Sequence, residues 1–170
     1  YHLLAKDVPR RSTRFIRGTD GALEDKPFPI EKSLIKPTYT AGDTGLYSTA
    51  RDYLRFCQML LNHGTLEGKQ VLSPQTVQLM FTDFGPPNIA KKVLPPGRGY
   101  GLAFSVYGKH HETQSLVSPG AVTWPGSGGG FFLIDPKEAL IVVLMTQTYP
   151  PNLPAMQSTL ETLIYQSLDS

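Results

Sequence analysis

The chain has 170 residues, 40% of them hydrophobic and 18% charged, a composition suited to a globular domain with one sizeable core. Its longest apolar run, Ala139 to Met145, has the length of a strand and falls far short of the roughly 20 residues of a membrane span. The single cysteine, Cys57, excludes an internal disulfide and any multi-cysteine metal site.

The net charge of +2 is unevenly spread: residues 1–40 hold eight Lys/Arg against five Asp/Glu, whereas the remainder holds eight against nine. Arg10, Arg11, Arg14 and Arg17 lie among Asp7, Asp20, Glu24 and Asp25, and no aromatic stacking series accompanies them. The segment therefore reads as solvated, or as covering another part of a larger protein, and no nucleic-acid partner is expected.

Residues 1–40 lack sustained periodicity and contain Pro9, Pro27, Pro29 and Pro37. They read as an extended connecting arm with one short strand around Thr13–Arg17. Forty irregular residues are unusual inside a self-contained domain, and the chain opens on Tyr1 with no leader pattern. The expectation is a portion of something larger, with residues 41–170 as the folded part.

Ala41-Gly42-Asp43-Thr44-Gly45-Leu46 is a glycine-rich loop. Ser48 or Thr49 is placed to cap the helix that follows, Asp52 suits a capping box, and Gly64 lies just past its end. Ala50, Tyr53, Leu54, Cys57, Leu60 and Leu61 recur at helical spacing and define one buried face, on which Cys57 reads as inert packing. Glu67-Gly68 marks a turn or hairpin, and Ser73-Pro74 opens a second helix running to about Phe81.

Residues 83–98 form a Pro- and Gly-rich loop in which Lys91 and Lys92 are solvated. Gly99 to Tyr107 alternates Tyr100, Leu102, Phe104 and Val106, as a half-buried strand does. Ala121–Trp124 and Gly130–Ile134 are strand candidates, and Asp135-Pro136-Lys137-Glu138 turns the chain into Ala139–Gln147, which is apolar on both faces and reads as a central strand. Asn152 suits the cap of a last helix, Pro154 to Leu168, packed through Met156, Leu160, Leu163, Ile164 and Leu168. The order predicts an α+β fold, an antiparallel sheet flanked by helices.

Between the two strand candidates lies Trp124-Pro125-Gly126-Ser127-Gly128-Gly129-Gly130-Phe131, with four glycines in five residues. A wide hairpin or bulge would explain them. So would a backbone kept bare so that a substrate can lie against it, its N–H groups turned to a developing negative charge.

Other candidate chemistry is weaker. Ser33-Leu34-Ile35-Lys36 matches a Ser-x-x-Lys nucleophile motif, but Pro37 pushes Lys36 out of the helical region and no apolar helix continues from it, so the match reads as chance. His110-His111 would point to opposite faces of a strand and lacks a third ligand at useful spacing. His63 suits a helix end and His2 a terminus. No Ser–His–Asp constellation, phosphate loop or metal-ligand cluster is visible, and no cofactor is expected.

Two segments carry a resemblance. Gly45-Leu46-Tyr47-Ser48-Thr49-Ala50-Arg51-Asp52-Tyr53-Leu54-Arg55-Phe56, with Met59-Leu60-Leu61, resembles the G-L-x-S-T-A-x-D-x-x-R-F segment of the β-lactamase-related serine hydrolases, which include class C β-lactamases, DD-peptidases and esterases. Gly99-Tyr100-Gly101-Leu102-Ala103-Phe104 is similar to the family's next strand, and Trp124 to Phe131 stands in the place of its third catalytic motif. Asp135-Pro136 and Ile141 to Gln147 match the following turn and strand; the likeness covers about residues 42 to 168.

The resemblance implies part of a β-lactamase/penicillin-binding-protein-like sandwich in which a serine is acylated and water or another acceptor releases the acyl group. The lysine of Ser-x-x-Lys and the tyrosine of Tyr-x-Asn serve the family as bases, and both motifs precede the segment that begins this chain. The chain thus reads as a C-terminal portion without its nucleophile, partnered by the N-terminal half of the same domain. It implies that Trp124 stands where relatives have lysine, histidine or tryptophan, that Gly126 keeps the strand open, and that the Ser127 backbone N–H is an oxyanion donor. Pro125, Gly126 and Gly128 would line the substrate. Pro125 offers no N–H and Trp124 no charge for a β-lactam carboxylate, which favours a small-molecule ester or amide, or a peptide-like substrate, and an esterase over a β-lactamase.

The rival reading is a non-catalytic binding or structural module of the same fold, using an exposed sheet edge to pair with a partner. For the 170 residues alone the expectation is no turnover of p-nitrophenyl acetate or nitrocefin and a broad or low melting transition.

Overall fold

The computed structural model describes residues 3–26, 38–39, 46–86, 94–109, 114–149 and 153–168. The Ser-x-x-Lys match at residues 33–36, the His110-His111 pair and the expected Asn152 cap lie outside them.

Among the described residues one sheet has seven strands: β1 (Phe15–Arg17), β2 (Leu23–Asp25), β5 (Arg98–Tyr100), β6 (Ser105–Tyr107), β7 (Val122–Pro125), β8 (Gly129–Asp135) and β9 (Leu140–Tyr149). Their spatial order is β2-β1-β9-β8-β7-β6-β5, while β3 (Thr65–Leu66) and β4 (Lys69–Gln70) form a separate hairpin. The residues read as an extended arm hold a 3-10 helix, Ala5–Arg10, and the β1–β2 hairpin that extends the sheet. The sheet is mixed where an antiparallel one was expected, because β1 lies parallel to β9, with Phe15 opposite Thr148. A strand contributed from far along the chain is not constrained by a hairpin to run antiparallel to its neighbour.

The described residues also hold three α-helices: α1 (Ala50–Leu61), α2 (Pro74–Met80) and α3 (Leu153–Leu168). Alternation along β8 and β9 serves both faces. Phe132, Ile134, Ile141 and Val143 join Cys57, Leu60 and Val77 in one core cluster. Phe131, Leu133, Leu140, Val142 and Leu144 join Tyr107 and Tyr165 in the other. The architecture is α+β, as the sequence implies.

Local signals explain the helix ends. Thr49 caps α1, its Oγ1 accepting the Asp52 N–H at 3.2 Å and its hydroxyl donating to the Asp52 carboxylate at 2.9 Å. At the other end His63 N–H reaches the Leu60 carbonyl and Gly64 N–H the Met59 carbonyl, a Schellman closure whose left-handed residue is His63 at φ +52°, with Gly64 following at φ +90°. Ser73 caps α2 through the Thr76 N–H, with Pro74 in the first turn. Glu67 and Gly68 both take positive φ, as a two-residue type I′ hairpin requires.

Three expectations change. Gly99–Tyr107 is not one strand but the β5–β6 hairpin, turning through Gly101, whose N–H bonds the Phe104 carbonyl. A side chain at Gly101 would press its Cβ to 2.4 Å from the Met80 carbonyl oxygen, so α2 fixes the turn there. On α1, Met59 is buried while Leu54 and Ala50 face outward. On α3 the buried stripe is Gln157, Glu161 and Tyr165, and Leu163 is 58% exposed. Those polar side chains turn inward because they meet polar partners there, as follows.

Candidate active site

The glycine-rich stretch is the tip of the β7–β8 hairpin. Gly126 N–H bonds the Gly130 carbonyl at 2.7 Å, and Gly129 N–H bonds the Gly126 carbonyl at 3.0 Å. Ser127 and Gly128 are the two central residues of that turn, and neither takes positive φ, whereas Gly129 follows at φ +92°. This is a type I turn with a glycine bulge, a common three-residue hairpin connection.

Most of the glycines have a local cause. The Gly128 carbonyl accepts from Thr148 N–H and Thr146 Oγ1, both at 2.8 Å, which ties the tip to β9. A Cβ on Gly128 would sit 3.0 Å from the Gln147 side-chain oxygen, and one on Gly130 would sit 2.8 Å from the Leu144 carbonyl. The strand pairing slips between Gly129 and Phe131, so the expected bulge is present on the β9 side. Gly126 is the exception: its φ is not positive, and an added Cβ would meet only the Gly130 carbonyl oxygen at an ordinary 3.4 Å.

Trp124 and Pro125 end β7, and they, Gly126 and Ser127 are all exposed. The Ser127 N–H forms no backbone hydrogen bond with the described residues. Three residues earlier, the Trp124 ring meets Tyr100 edge-to-face, centroids 5.5 Å apart at 82°. Tyr100 was not anticipated as a site residue. The only hint in the sequence is that glycines flank it on both sides. Its N–H donates to Asp83 Oδ1 at 2.8 Å, its carbonyl accepts from Phe84 N–H at 2.9 Å, and Gly99 leaves room for the Asp83 carboxylate.

Two buried polar clusters lie on the α3 side of the sheet. Tyr107 donates to Glu161, which also accepts from Gln157 at 2.7 Å and faces Arg98 at 3.7 Å. Burial first, then the Glu161 charge, pushes the Tyr107 hydroxyl well above its ordinary value against the opposing pull of Arg98. In the second cluster Asp135 accepts from Tyr165, Ser118 N–H and Lys137 N–H. Burial would raise its carboxyl, but those hydrogen bonds outweigh it and hold the group below the ordinary carboxylate value. Each group is occupied by its partners and joins α3 to the sheet.

A groove of about 410 Å³ between α2 and the end of α1 is lined by Leu60, Leu61, Val77, Phe81 and Pro136, with His63. Its lining has no serine, cysteine or carboxylate, and none of the hairpin-tip residues reaches it. Among the described residues no three His, Cys, Asp or Glu side chains gather as metal ligands, and no helix is long and apolar enough to cross a membrane.

The profile of the Beta-lactamase family matches residues 5–165. This chain belongs to the Beta-lactamase family. Two curated relatives from Mycobacterium tuberculosis, "Protein Rv1367c" (strain H37Rv) and "Uncharacterized protein MT1414" (strain CDC 1551), are each 38% identical over 128 residues. That alignment covers 67% of this chain but only 30% of each relative. Among solved structures, the LovD6 mutant of simvastatin synthase from Aspergillus terreus superposes with a TM-score of 0.79 at 21% identity, over 97% of this chain and 45% of that one. EstCE1, described as a hydrolase with promiscuous acyltransferase activity, gives 0.75 at 20% identity over 94% of this chain and 44% of that one. At such identities the likeness is one of fold. The chain spans less than half the length of each of these proteins.

Proposed function

We propose that this chain contributes one wall of an acyl-enzyme site in a serine hydrolase acting on esters or amides, with esterase-like rather than β-lactamase chemistry. In this reading a serine outside the chain attacks the carbonyl carbon and passes its proton to the family's lysine–tyrosine base pair. The tetrahedral oxyanion accepts the Ser127 N–H while Trp124 stands beside it. The base pair returns that proton to the leaving alcohol or amine, and water, deprotonated by the same bases, attacks the acyl-serine to release the acid and restore the hydroxyl.

The observation that carries the reading is Gly126. Gly128, Gly129 and Gly130 are explained by the hairpin itself, and Gly126 is not. A residue left bare where the fold has room for a side chain suits a surface that a substrate must approach. The turn leaves the adjacent, exposed Ser127 N–H without a backbone partner among the described residues, and a donor already in place is what electrostatic stabilisation of a transition state needs. The solved relative described as a hydrolase with acyltransferase activity supports acyl transfer as the class. Uncharged Trp124 and the lack of an N–H on Pro125 favour neutral esters.

The test uses the full-length polypeptide containing this chain. Proline is well suited to the first central position of a type I turn, so Ser127→Pro deletes the N–H with little backbone strain. The expected result is a fall of about 10²–10³ in kcat for p-nitrophenyl esters, with Ser127→Ala near wild type. Full activity in Ser127→Pro, or a protein that no fluorophosphonate labels, overturns the assignment; the second result favours a binding module.

A further inference from the structure

We propose that Tyr100 is a specificity-determining residue, forming with Trp124 an aromatic wall that receives a flat, uncharged aryl group of the acyl chain. The inference rests on the acyl-transfer reading above and names its substrate class. The two rings meet edge-to-face with centroids 5.5 Å apart, yet Tyr100 remains 40% exposed and Trp124 36% exposed. Rings held against each other and still partly exposed have surface to offer a third apolar group.

Rigidity separates this pair from other exposed apolar side chains. Tyr100 ends an edge strand, where backbone groups are ordinarily left to solvent. Here Asp83 takes its N–H, Phe84 N–H takes its carbonyl, and Gly85 lies so close that an added Cβ would sit 3.0 Å from Tyr100 Cβ. An aromatic ring on so constrained a backbone loses little entropy when a ligand stacks on it. Two residues beyond Trp124 comes Gly126, with room where its side chain would be, and then the Ser127 N–H. An acyl group whose carbonyl oxygen meets that N–H lies beside the aromatic pair. Neither ring carries a charge, so the group that fits is neutral and apolar, arylacetyl rather than acetyl or a carboxylate-bearing acyl chain.

The test compares kcat/KM for p-nitrophenyl phenylacetate and p-nitrophenyl acetate in the full-length polypeptide and its Tyr100→Ala and Tyr100→Phe variants. Saturation-transfer NMR of binding of the neutral 3-phenylpropionamide is measured on the same three proteins. The expected result is a preference for the phenylacetate that falls roughly tenfold in Tyr100→Ala and is kept in Tyr100→Phe, the size expected for removing one aromatic ring and the area it buries. Hydrolysis with the same preference in Tyr100→Ala overturns this inference and leaves the hydrolase reading standing. If neither ester turns over, the hydrolase reading falls and the NMR decides. A saturation-transfer signal from 3-phenylpropionamide that disappears in Tyr100→Ala upholds the aromatic wall; a signal that is absent throughout, or insensitive to Tyr100, overturns it.

Discussion

The Tyr165 hydroxyl on α3 donates to the carboxylate of Asp135, a fully buried residue at the end of β8. This bond closes the last helix onto the sheet. It also makes the fold sensitive to acid. The native carboxyl is held below its ordinary value, so its contribution is complete above an unfolded pKa of about 3.9 and is lost as pH falls through the native value. Urea midpoints should therefore drop steeply below about pH 4, and Asp135→Asn should flatten that limb while costing about 1.5–3 kcal/mol at neutral pH. An unchanged acid limb in Asp135→Asn would show that other carboxylates govern it. At the alkaline end the sign reverses. Tyr165 and Tyr107 are both raised, chiefly by burial, so stability holds up to about pH 10 and is lost above it as the unfolded phenols ionise.

Arg98 and Glu161 form a pair whose side chains are only 12% and 6% exposed. Removing one partner strands the other, so Glu161→Ala should cost about 3–5 kcal/mol, read from the denaturant midpoint at constant m. Combining it with Arg98→Met should recover much of that loss, because an apolar pair carries no stranded charge. Equal instability in the single and double variants would mean that Tyr107 and Gln157, not Arg98, are the partners that matter.

Two glycines of the hairpin tip should behave differently. Gly130→Ala drives a Cβ to 2.8 Å from the Leu144 carbonyl and should destabilise by about 1–3 kcal/mol. Gly126→Ala has ordinary room and should stay within about 0.5 kcal/mol of wild type in stability, while lowering ester turnover in the full-length polypeptide. Thermal melts and initial rates on the same preparations separate the two effects.

Cys57 is fully buried, and burial pushes its thiol up to about 12. A native protein at pH 8 should leave it unlabelled by iodoacetamide over hours, with stoichiometric labelling in denaturant. Rapid native labelling would mean that α1 opens readily from the sheet.

What could be read directly came from bonds closed within a few residues. The cap at Thr49, the stop at Gly64, the turn at Glu67-Gly68 and the cap at Ser73 each rest on bonds spanning three to five positions, and all lie where the sequence puts them. The central place of β9 was equally visible, since its residues are apolar on both faces and each face meets a core. The α3 face was legible only in part: Leu160 and Ile164 pack on the core as expected, but its most buried residues include Gln157 and Glu161, polar side chains that hydropathy assigns to solvent.

By itself, then, the sequence determined an α+β order of elements, a glycine-rich hairpin tip and the family motifs around it, because these depend on local backbone chemistry and on the period of apolar residues. Only the tertiary structure decided what distant residues do for one another. It pairs Tyr107 with Glu161 across 54 positions and Tyr165 with Asp135 across 30, and it lays β1 parallel to β9. It also brings Tyr100 against Trp124 and shows that Gly126, alone among the tip glycines, combines an ordinary φ with room for a side chain. A buried polar group is stabilised only by the partner that reaches it, and the identity of that partner is not encoded in its neighbours along the chain.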